Sequence, residues 1–373
     1  MEKALKNLNR HPYTQIQLSD REKFHTGMLK ITLDVFKKEA YAGIFGDKFA
    51  NELYTPEDSE IKTCLEENSV DLSIKNGEKV FAIFESKFKT GLHYSKMKIE
   101  GESQDVNQLE KYARKNSNTE YGFVISLFEE EKLEIDIKGV AITEFTPLTF
   151  TNQILKFLLC FNYEDYDDPT IPLVELWISY LKELKIVVDE FEKIQLEGIS
   201  NHKEVKKLLT DIKLKGIFER HRLNIIKNNI EDHLIIEEDL KNKLIEGAKI
   251  WGKPEPENNY IIIGNTHGNA SISFVFKTEK ENSYGIQWQT GSVKIFIDIK
   301  QKQIKMREDR HEQLNSLVGK LKDFKYVKEK ANMKNIFQSI TIIKKEIFED
   351  ITKMHDTLIS ILKILKANPP SNL

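Results

Sequence analysis

The amino-acid sequence predicts an α/β protein. Its first part has the pattern of a mixed β-sheet core flanked by helices, followed by a helical region and a small antiparallel β-sheet with C-terminal helices. Helical and strand patterns alternate early in the chain, helical repeats then replace them, and short strand patterns return later. The three expected parts are residues 1–165, 166–255 and 256–373.

The first predicted helix follows Ser19. Glu22 stands three residues after this serine, which is the spacing of a capping box that satisfies backbone N–H groups of the first turn. Apolar residues then recur at helical spacing, as expected for a helix that packs one face on a sheet. These residues are Phe24, Met28, Leu29, Ile31, Leu33, Val35 and Phe36.

A β-hairpin is predicted next, with strands at Val70–Lys75 and Lys79–Lys87. Its turn is predicted at Asn76-Gly77, because both of these residues tolerate the positive φ angles of a two-residue hairpin turn. Pairing around that turn brings Asp71 opposite the end of the second strand that carries Glu85, within a register error of about two residues. The sequence therefore predicts that two carboxylates meet at one end of this hairpin.

The second strand of the hairpin ends in two charged residues. Alternation along the strand predicts one face made of Phe81, Ile83, Glu85 and Lys87, opposite Val80, Ala82, Phe84 and Ser86. Burying opposite charges in succession is costly unless they serve each other or a ligand. Two carboxylates suit a hard cation such as Mg²⁺, which Mn²⁺ can replace, and a nearby lysine can orient a water molecule. Asp71, Glu85 and Lys87 are therefore candidate catalytic residues.

A polar stretch leads to a helix predicted from about Gln104 to Asn116. Gln108 and Tyr112 stand four residues apart on it, so both project from one helical face. Two short apolar segments, Tyr121–Leu127 and Ile137–Ile142, then have the pattern of buried strands. This order of elements predicts a mixed sheet covered by helices.

These residues together resemble the PD-(D/E)XK nuclease superfamily. Asp71, thirteen intervening residues and Glu85-Ser86-Lys87 are similar to its catalytic motif, with Val70 in place of the usual proline. Gln108 and Tyr112 resemble the Q-x-x-x-Y motif of its RecB-like branch. The likeness covers about residues 15 to 150.

A third likeness lies on the first helix. Glu22, His25 and Thr26 resemble a Glu-x-x-His-(Ser/Thr) pattern of poorly characterised bacterial PD-(D/E)XK proteins. An upstream helical glutamate often joins the metal site of these nucleases, although a capping box explains Glu22 equally well. His25 by itself is more typical of a core or surface histidine than of a ligand.

The resemblance implies a restriction-endonuclease-like fold and Mg²⁺-dependent hydrolysis of phosphodiester bonds in nucleic acid, with DNA expected in preference to RNA. Asp71 and Glu85 would bind the metal together with the carbonyl of Ser86, and Glu22 would complete its site. Lys87 would position the attacking water. The residues expected at the catalytic centre are Asp71, Glu85, Lys87, Gln108 and Tyr112. Such a core occurs in restriction and anti-phage defence nucleases, joined to a recognition module.

Simpler interpretations of the same residues stay open. Asp71, Glu85 and Lys87 fit an ordinary cross-strand salt bridge at a sheet edge. Tyr112 fits packing on the sheet, with Gln108 facing solvent. For the whole protein, the alternatives are a catalytically inactive nuclease-fold protein that binds nucleic acid or regulates a partner, and a helical scaffold in which the carboxylates are incidental.

The remaining sequence predicts further helices and a second sheet. One heptad-like stripe consists of Val174, Trp177, Leu181, Leu184, Val188 and Phe191, and helical sequence continues to about Ile250. Tyr260–Ile299 predicts three or four antiparallel strands, with turns near Gly264, Gly268, Gly285 and Gly291. A stripe from Ile336 to Leu365 predicts one long helix. Both stripes fit packing within the chain as well as contact with a second copy or a partner protein.

Composition narrows the class of protein. A formal net charge of -3 excludes a strongly basic protein, so a nucleic-acid surface must be local. Two distant cysteines, Cys64 and Cys160, exclude a disulfide framework and a cysteine-based zinc site. The apolar run Ile154–Phe161 is too short to span a bilayer, and no signal-peptide pattern occurs. We therefore expect a cytoplasmic protein without membrane contact.

Overall fold

The computed structural model describes residues 1–18, 20–54, 60–67, 70–87, 94–99, 102–129, 132–194, 202–222, 244–246, 260–266, 269–277, 283–289, 292–298, 314–316, 319, 321, 326–327, 337–342 and 351–369. The chain divides into two units, which are described separately. The first comprises Met1–Glu192 and Lys207–Ile217, and the second comprises Lys193–Lys206 and Phe218–Leu373.

The first unit is built on a six-stranded mixed sheet, so the α/β prediction is confirmed. Its strands are β1 (Ile61–Leu65), β2 (Leu72–Asn76), β3 (Lys79–Lys87), β6 (Tyr121–Ser126), β7 (Leu133–Glu134) and β8 (Glu144–Thr149), while β4 (Tyr94–Ile99) and β5 (Glu102–Asn107) pair only with each other. The sheet order is β1-β2-β3-β6-β8-β7. β1, β2 and β3 are antiparallel neighbours, whereas β3, β6 and β8 run parallel.

Helices cover both faces of this sheet. They are α1 (Glu2–Arg10), α2 (Pro12–Gln15), α3 (Glu22–Phe45), α4 (Asp47–Leu53), α5 (Gln108–Lys115), α6 (Leu155–Leu158) and α7 (Ile171–Ile194), and α8 (Lys203–Asp211) follows. Phe45 at the end of α3 packs its ring on Phe84 of β3, with ring centroids 5.2 Å apart. On the opposite face, Leu109 and Tyr112 of α5 share a buried cluster with Ile83. β3 therefore lies in the interior of the unit, between two helical layers.

The long helix α3 confirms the first predicted helix but not its cap. The helix begins at Glu22, its N-cap is Arg21, and no side chain caps it. The capping box predicted between Ser19 and Glu22 is therefore wrong, and Ser19 itself lies outside the described residues. A kink at Lys37 (φ 45°, ψ -123°) interrupts the helix near its middle.

The hairpin β2–β3 is confirmed, with its turn one residue later than predicted. Asn76 pairs with Lys79, so the turn residues are Gly77 and Glu78 rather than Asn76 and Gly77. Gly77 takes a φ of 59°, which glycine adopts without the clash that a Cβ would cause. Asn76 instead ends β2, and its side-chain amide donates to the Leu53 carbonyl at 3.0 Å.

A β-bulge corrects the predicted face of β3. Ile74 pairs with Ala82 and Lys75 with Val80, so Phe81 is an extra residue in the strand. Its ring packs on Phe49 of α4, with centroids 5.2 Å apart, on the face of β3 opposite to Ile83. The prediction that Phe81 shares a face with Glu85 is therefore wrong, because the bulge reverses the alternation before the charged residues.

The stretch between β3 and α5 contains a second hairpin that the sequence did not indicate. β4 and β5 pair in antiparallel fashion, with Tyr94 opposite Asn107. The helix therefore begins at Gln108 instead of about Gln104, and the side chain of Asn107 caps it by accepting the Glu110 N–H at 2.8 Å. This cap sets Gln108 at the first position of the helix.

The strand predicted at Ile137–Ile142 is wrong. These residues form a turn region between β7 and β8, in which Gly139 has a φ of 80° and the Val140 N–H bonds the Ile137 carbonyl at 3.2 Å. Ile142 is nevertheless 1% exposed, because it fills the cluster under α5. The apolar pattern of this segment therefore indicated the burial of Ile142 correctly but not the backbone structure. β8 then leads into a π-helical turn, Phe150–Ile154, and α6.

The helix α7 confirms the first heptad-like stripe. The buried residues Val174, Trp177, Leu181, Leu184, Val188 and Phe191 are each 6% exposed or less. The Trp177 indole donates to His25 Nδ1 of α3 at 3.2 Å, and the Tyr13 hydroxyl of α2 donates to the Leu173 carbonyl at 2.8 Å. The stripe thus packs inside the first unit, although residues after 165 were expected to begin a separate part.

The second unit contains a seven-stranded sheet. Its strands are β9 (Leu244–Glu246), β10 (Tyr260–Thr266), β11 (Asn269–Lys277), β12 (Ser283–Gln289), β13 (Ser292–Asp298), β14 (Tyr326–Val327) and β15 (Phe337–Ile342), in the order β14-β15-β13-β12-β11-β10-β9. β10 to β13 confirm the predicted antiparallel strands. Gly285 lies inside β12 rather than at a turn, where a Cβ would stand 1.9 Å from the Phe274 carbonyl oxygen.

Two helical predictions for the second unit are wrong in part. Helical sequence was expected to continue to about Ile250, but Leu244–Glu246 is the strand β9. The long C-terminal helix was expected from Ile336, but Phe337–Ile342 pairs with β13 as the strand β15. A helix, α9, spans Ile351–Ala367, and its residues Leu358, Ile361 and Leu365 are buried. The part of the stripe at residues 343–350 lies outside the described residues.

Within the described residues, no helix is both long enough and apolar enough to cross a membrane.

Candidate active site

The candidate site lies where the end of β3 meets the start of β2. Asp71 immediately precedes β2, and the pairing of Leu72 with Phe84 sets it opposite Glu85. The Ser86 N–H donates to Asp71 Oδ2 at 2.8 Å, which ties this carboxylate to the backbone of β3. The predicted approach of Asp71 to Glu85 therefore has a structural cause, namely the register of the hairpin.

Glu85 and Lys87 form a buried ion pair on one face of β3. Their side chains are 3% and 4% exposed, and Lys87 Nζ donates to Glu85 Oε1 at 2.5 Å. The strand lies between β2 and β6, so these charges are not at a sheet edge. The pair is therefore not an ordinary exposed salt bridge at a sheet edge. Both charges have lost their contact with water, which costs free energy that an exposed pair does not incur.

Gln108 of α5 connects this pair to the helix. Its Nε2 donates to Glu85 Oε1 at 2.7 Å, and its Oε1 accepts from Lys87 Nζ at 2.9 Å. The same Nε2 donates to the Tyr112 hydroxyl at 2.5 Å, so the four-residue spacing does bring both side chains together. Gln108 therefore faces the charged pair and not solvent, and it fixes the position of both partners.

The carboxyl groups of the site are held in an environment that disfavours their charge. Burial, then the charge of Asp71, raises the pKa of Glu85 to about 7, against the lowering effect of Lys87. Burial likewise raises the pKa of Asp71, although the Ser86 N–H and the Lys87 charge lower it. The charge of Glu22 contributes to raising both pKa values. The site therefore holds more negative charge than its lysine neutralises.

Glu22 lies near the carboxylate pair without joining it. Its charge reaches Asp71 and Glu85 from the first turn of α3. In the part of the chain that the structure describes, however, no three His, Cys, Asp or Glu side chains stand together as a metal-binding group. Glu22 therefore does not form a three-carboxylate metal site with Asp71 and Glu85 in this arrangement, in contrast to the expectation from the sequence.

The donor set of Asp71 and Glu85 fits a divalent cation. Glu85 Oε2 is buried and has no hydrogen-bond partner, although a buried carboxylate oxygen is normally satisfied. A cation between the two carboxylates would satisfy this oxygen and offset the charge of Asp71, which adds to burial in raising the pKa of Glu85. Two carboxylates with water in the remaining positions are a usual ligand set for Mg²⁺.

His25 has a structural role beneath the site. It is fully buried, and its Nδ1 accepts the Trp177 indole N–H at 3.2 Å. An accepting Nδ1 is unprotonated, so the histidine holds α3 against α7 as a neutral ring. It is thus a core histidine, one of the two interpretations that the sequence favoured, and it supports the first turn that carries Glu22.

An ion pair that the sequence did not indicate lies beside Asp71. Lys23 of α3 is paired with Glu66, which follows β1, and the Glu66 N–H donates to the Asp71 carbonyl at 3.2 Å. The hydrogen bond that Lys23 donates to the Glu66 carboxylate, then the Glu66 charge, raises the pKa of Lys23, and the charge of Asp71 adds to this effect. No sequence motif marks either residue, since the pairing depends on how α3 lies across the end of β1.

Comparison with known proteins gives no assignment: no family model, no curated protein and no solved structure matches the chain.

Proposed function

We propose that this protein is a metal-dependent nuclease that hydrolyses phosphodiester bonds of nucleic acid, DNA in preference to RNA. The observation that carries the proposal is the buried meeting of Asp71 and Glu85 with Lys87 and Gln108, in which one Glu85 oxygen lacks a partner. Buried groups with raised pKa values and a specific charge partner are typical of functional sites.

The topology around the site supports the same proposal. The chain order from α3 is α3, α4, β1, β2, β3, β4, β5, α5 and β6. In the six-stranded sheet the antiparallel strands β1, β2 and β3 are followed by the parallel strand β6, so β3 lies between β2 and β6. This order agrees with the restriction-endonuclease-like core that the resemblance to PD-(D/E)XK nucleases implies.

Each residue of the site has a distinct proposed role. Asp71 and Glu85 would hold Mg²⁺ or Mn²⁺, with the carbonyl of Ser86 as a further ligand. The cation, when bound, would supply a more acidic water and neutralise charge on phosphate oxygens. Lys87 orients the attacking water and stabilises the negative charge that develops on the phosphate. Gln108 fixes Lys87 and Glu85 in position, and Tyr112 fixes Gln108 in turn.

Cleavage assays with the purified protein test this proposal. Plasmid DNA, single-stranded DNA and RNA are incubated with Mg²⁺ or Mn²⁺, and EDTA should abolish all cleavage. We expect Lys87→Ala and Asp71→Asn to lower the cleavage rate by at least about a hundredfold. Lys79→Ala is the matched control, since Lys79 begins the same strand and forms an exposed pair with Glu120. Wild-type activity indistinguishable from that of Lys87→Ala would exclude this site.

A second candidate is a nuclease-fold protein that binds nucleic acid or regulates a partner without cleaving. It is favoured by the contact of Lys87 with Glu85 Oε1, which occupies one of the proposed metal-ligating groups, and by the lack of a third carboxylate ligand in the described part of the chain. Binding of DNA without cleavage in either metal would support this candidate. Residues beyond about 165 would then select the nucleic acid or partner, as they would in a restriction or anti-phage defence nuclease.

A further inference from the structure

The surface next to Asp71 carries a lysine whose partner is easily replaced. Lys23 and Glu66 are paired at the surface, with side chains 78% and 56% exposed. Exposed pairs of this kind contribute little to stability and open readily. Lys23 is therefore available to another anion at small cost, in contrast to Lys87, which is buried and bonded to Glu85 and Gln108.

Glu66 stands in a backbone conformation that a glutamate rarely adopts. Its φ is 55°, in the left-handed region where glycine or asparagine is usual. The Glu66 N–H donates to the Asp71 carbonyl at 3.2 Å, so the backbone at Glu66 is held next to Asp71, a residue of the candidate site. The carboxylate of this glutamate reaches Lys23 on α3.

Lys23 also lies next to the site because of its place in α3, where it is the second residue of the helix. It follows Glu22, whose charge reaches Asp71 and Glu85, and the charge of Asp71 reaches the Lys23 ammonium. The net charge of the protein is -3, so a polyanion needs local cations to approach this carboxylate-rich site. An exposed lysine beside Asp71 meets that need.

We propose that Lys23 binds a backbone phosphate of the nucleic-acid substrate next to the bond that is cleaved, and that the Glu66 carboxylate occupies its ammonium until the phosphate replaces it. This role rests on the proposed nuclease function. Carboxylate and phosphate are both anions that lysine binds as a point charge, so one can take the place of the other. Lys23 would then position the substrate, and Glu66 would compete with it.

The two partners of the pair should therefore have opposite effects on binding. We expect Lys23→Ala to weaken binding of a labelled duplex by about fivefold to tenfold, and to lower the slope of log Kd against log salt by about one. Glu66→Gln should tighten binding by about twofold or more, because it removes the competing carboxylate. Fluorescence anisotropy with Ca²⁺ in place of Mg²⁺ measures Kd without cleavage.

A matched control lies at the other end of β1. Lys62 and Glu60 form an exposed pair at 2.8 Å, and neither Lys62→Ala nor Glu60→Gln should change Kd. If the Lys23–Glu66 pair only clamps α3 to β1, both of its variants would lower Tm and weaken binding together. That result would overturn the proposal, as would an unchanged Kd and salt slope for Lys23→Ala.

The same measurements separate this inference from the proposed function. Cleavage that Asp71→Asn abolishes, together with an unchanged Kd for Lys23→Ala, leaves the nuclease proposal intact and rejects the role of Lys23. A wild-type protein that neither binds nor cleaves any nucleic acid rejects both. Binding that Lys23→Ala weakens, without cleavage, supports the phosphate contact and rejects only the catalytic step.

Discussion

Single residues determine the charge state of the candidate site, and Glu85 is central among them. Its carboxyl has Lys87 as a hydrogen-bonded cation, yet burial and Asp71 keep its pKa near 7. Desolvation therefore outweighs the attraction of the lysine in the absence of a metal. The side chain that we propose as a metal ligand therefore still carries a proton over part of the neutral pH range.

Metal affinity should depend on pH for this reason. We expect Mg²⁺ to bind more tightly as the pH rises through about 7, because the cation must displace the proton that Glu85 holds below that pH. Calorimetric titrations at about pH 6, in two buffers of different ionisation enthalpy, should register proton release on binding. Glu85→Gln should abolish both effects, and an affinity that is constant between about pH 6 and pH 8 would contradict the assignment.

Individual elements bring these residues together, and the contact of α3 with α7 is one that only the fold reveals. His25 and Trp177 are far apart in the sequence but form a buried hydrogen bond of 3.2 Å. His25 follows Glu22 and Lys23 in the first part of α3. This contact fixes the first turn of α3 against α7. The hairpin β2–β3 fixes the other half of the site through its register.

Trp177→Phe tests the contribution of the helix contact. The substitution removes the N–H that His25 accepts, and we expect the free energy of unfolding to fall by about 1 to 3 kcal/mol. Urea denaturation followed by circular dichroism measures this change. Ile186→Ala is the matched control on α7, since Ile186 is 45% exposed, and its effect should stay within about 0.5 kcal/mol. Equal effects of the two variants would show that the buried bond adds no stability.

The whole molecule should respond to the carboxylates as a change in stability with pH. The carboxyl of Glu85 has a pKa of about 7 in the folded protein, above its ordinary value of 4.5, so the folded state binds more protons than the unfolded state between these two pH values. Stability of the metal-free protein therefore decreases as the pH rises from about 4.5 to about 7, by about 3 kcal/mol from this group. The usual case of a carboxylate with a lowered pKa has the opposite sign.

Thermal unfolding measures this dependence with and without Mg²⁺. We expect Mg²⁺ at about a hundred times its Kd to stabilise the protein by about 2.7 kcal/mol, with the larger increase in Tm on the alkaline side of pH 7. Glu85→Gln should flatten the dependence of Tm on pH, whereas the exposed Glu120→Gln should leave it unchanged. A Tm that Mg²⁺ raises equally at about pH 6 and pH 8 would argue against a cation bound by Glu85.

Features that depend on neighbouring residues along the chain could be predicted from the amino-acid sequence alone. The 3.6-residue period identified α3 and α7, and the turn signal identified the hairpin that sets Asp71 opposite Glu85. The spacing of Gln108 and Tyr112 likewise sufficed to put both side chains on one face of α5. These patterns are local, because periodicity and turn chemistry act within a few residues along the chain.

Features that depend on partners far away in the sequence became evident only in the folded protein. Contacts between separate segments determine three such features. They are the bulge at Phe81, the strand β15 where the apolar spacing predicted a helix, and the pairing of Lys23 with Glu66. The apolar pattern of Ile137–Ile142 reported burial, and only the neighbours of that segment made it a turn instead of a strand. The apolar residues of a segment predict that it is buried. Strand pairing and charge pairing, in contrast, require a partner that the local sequence does not contain.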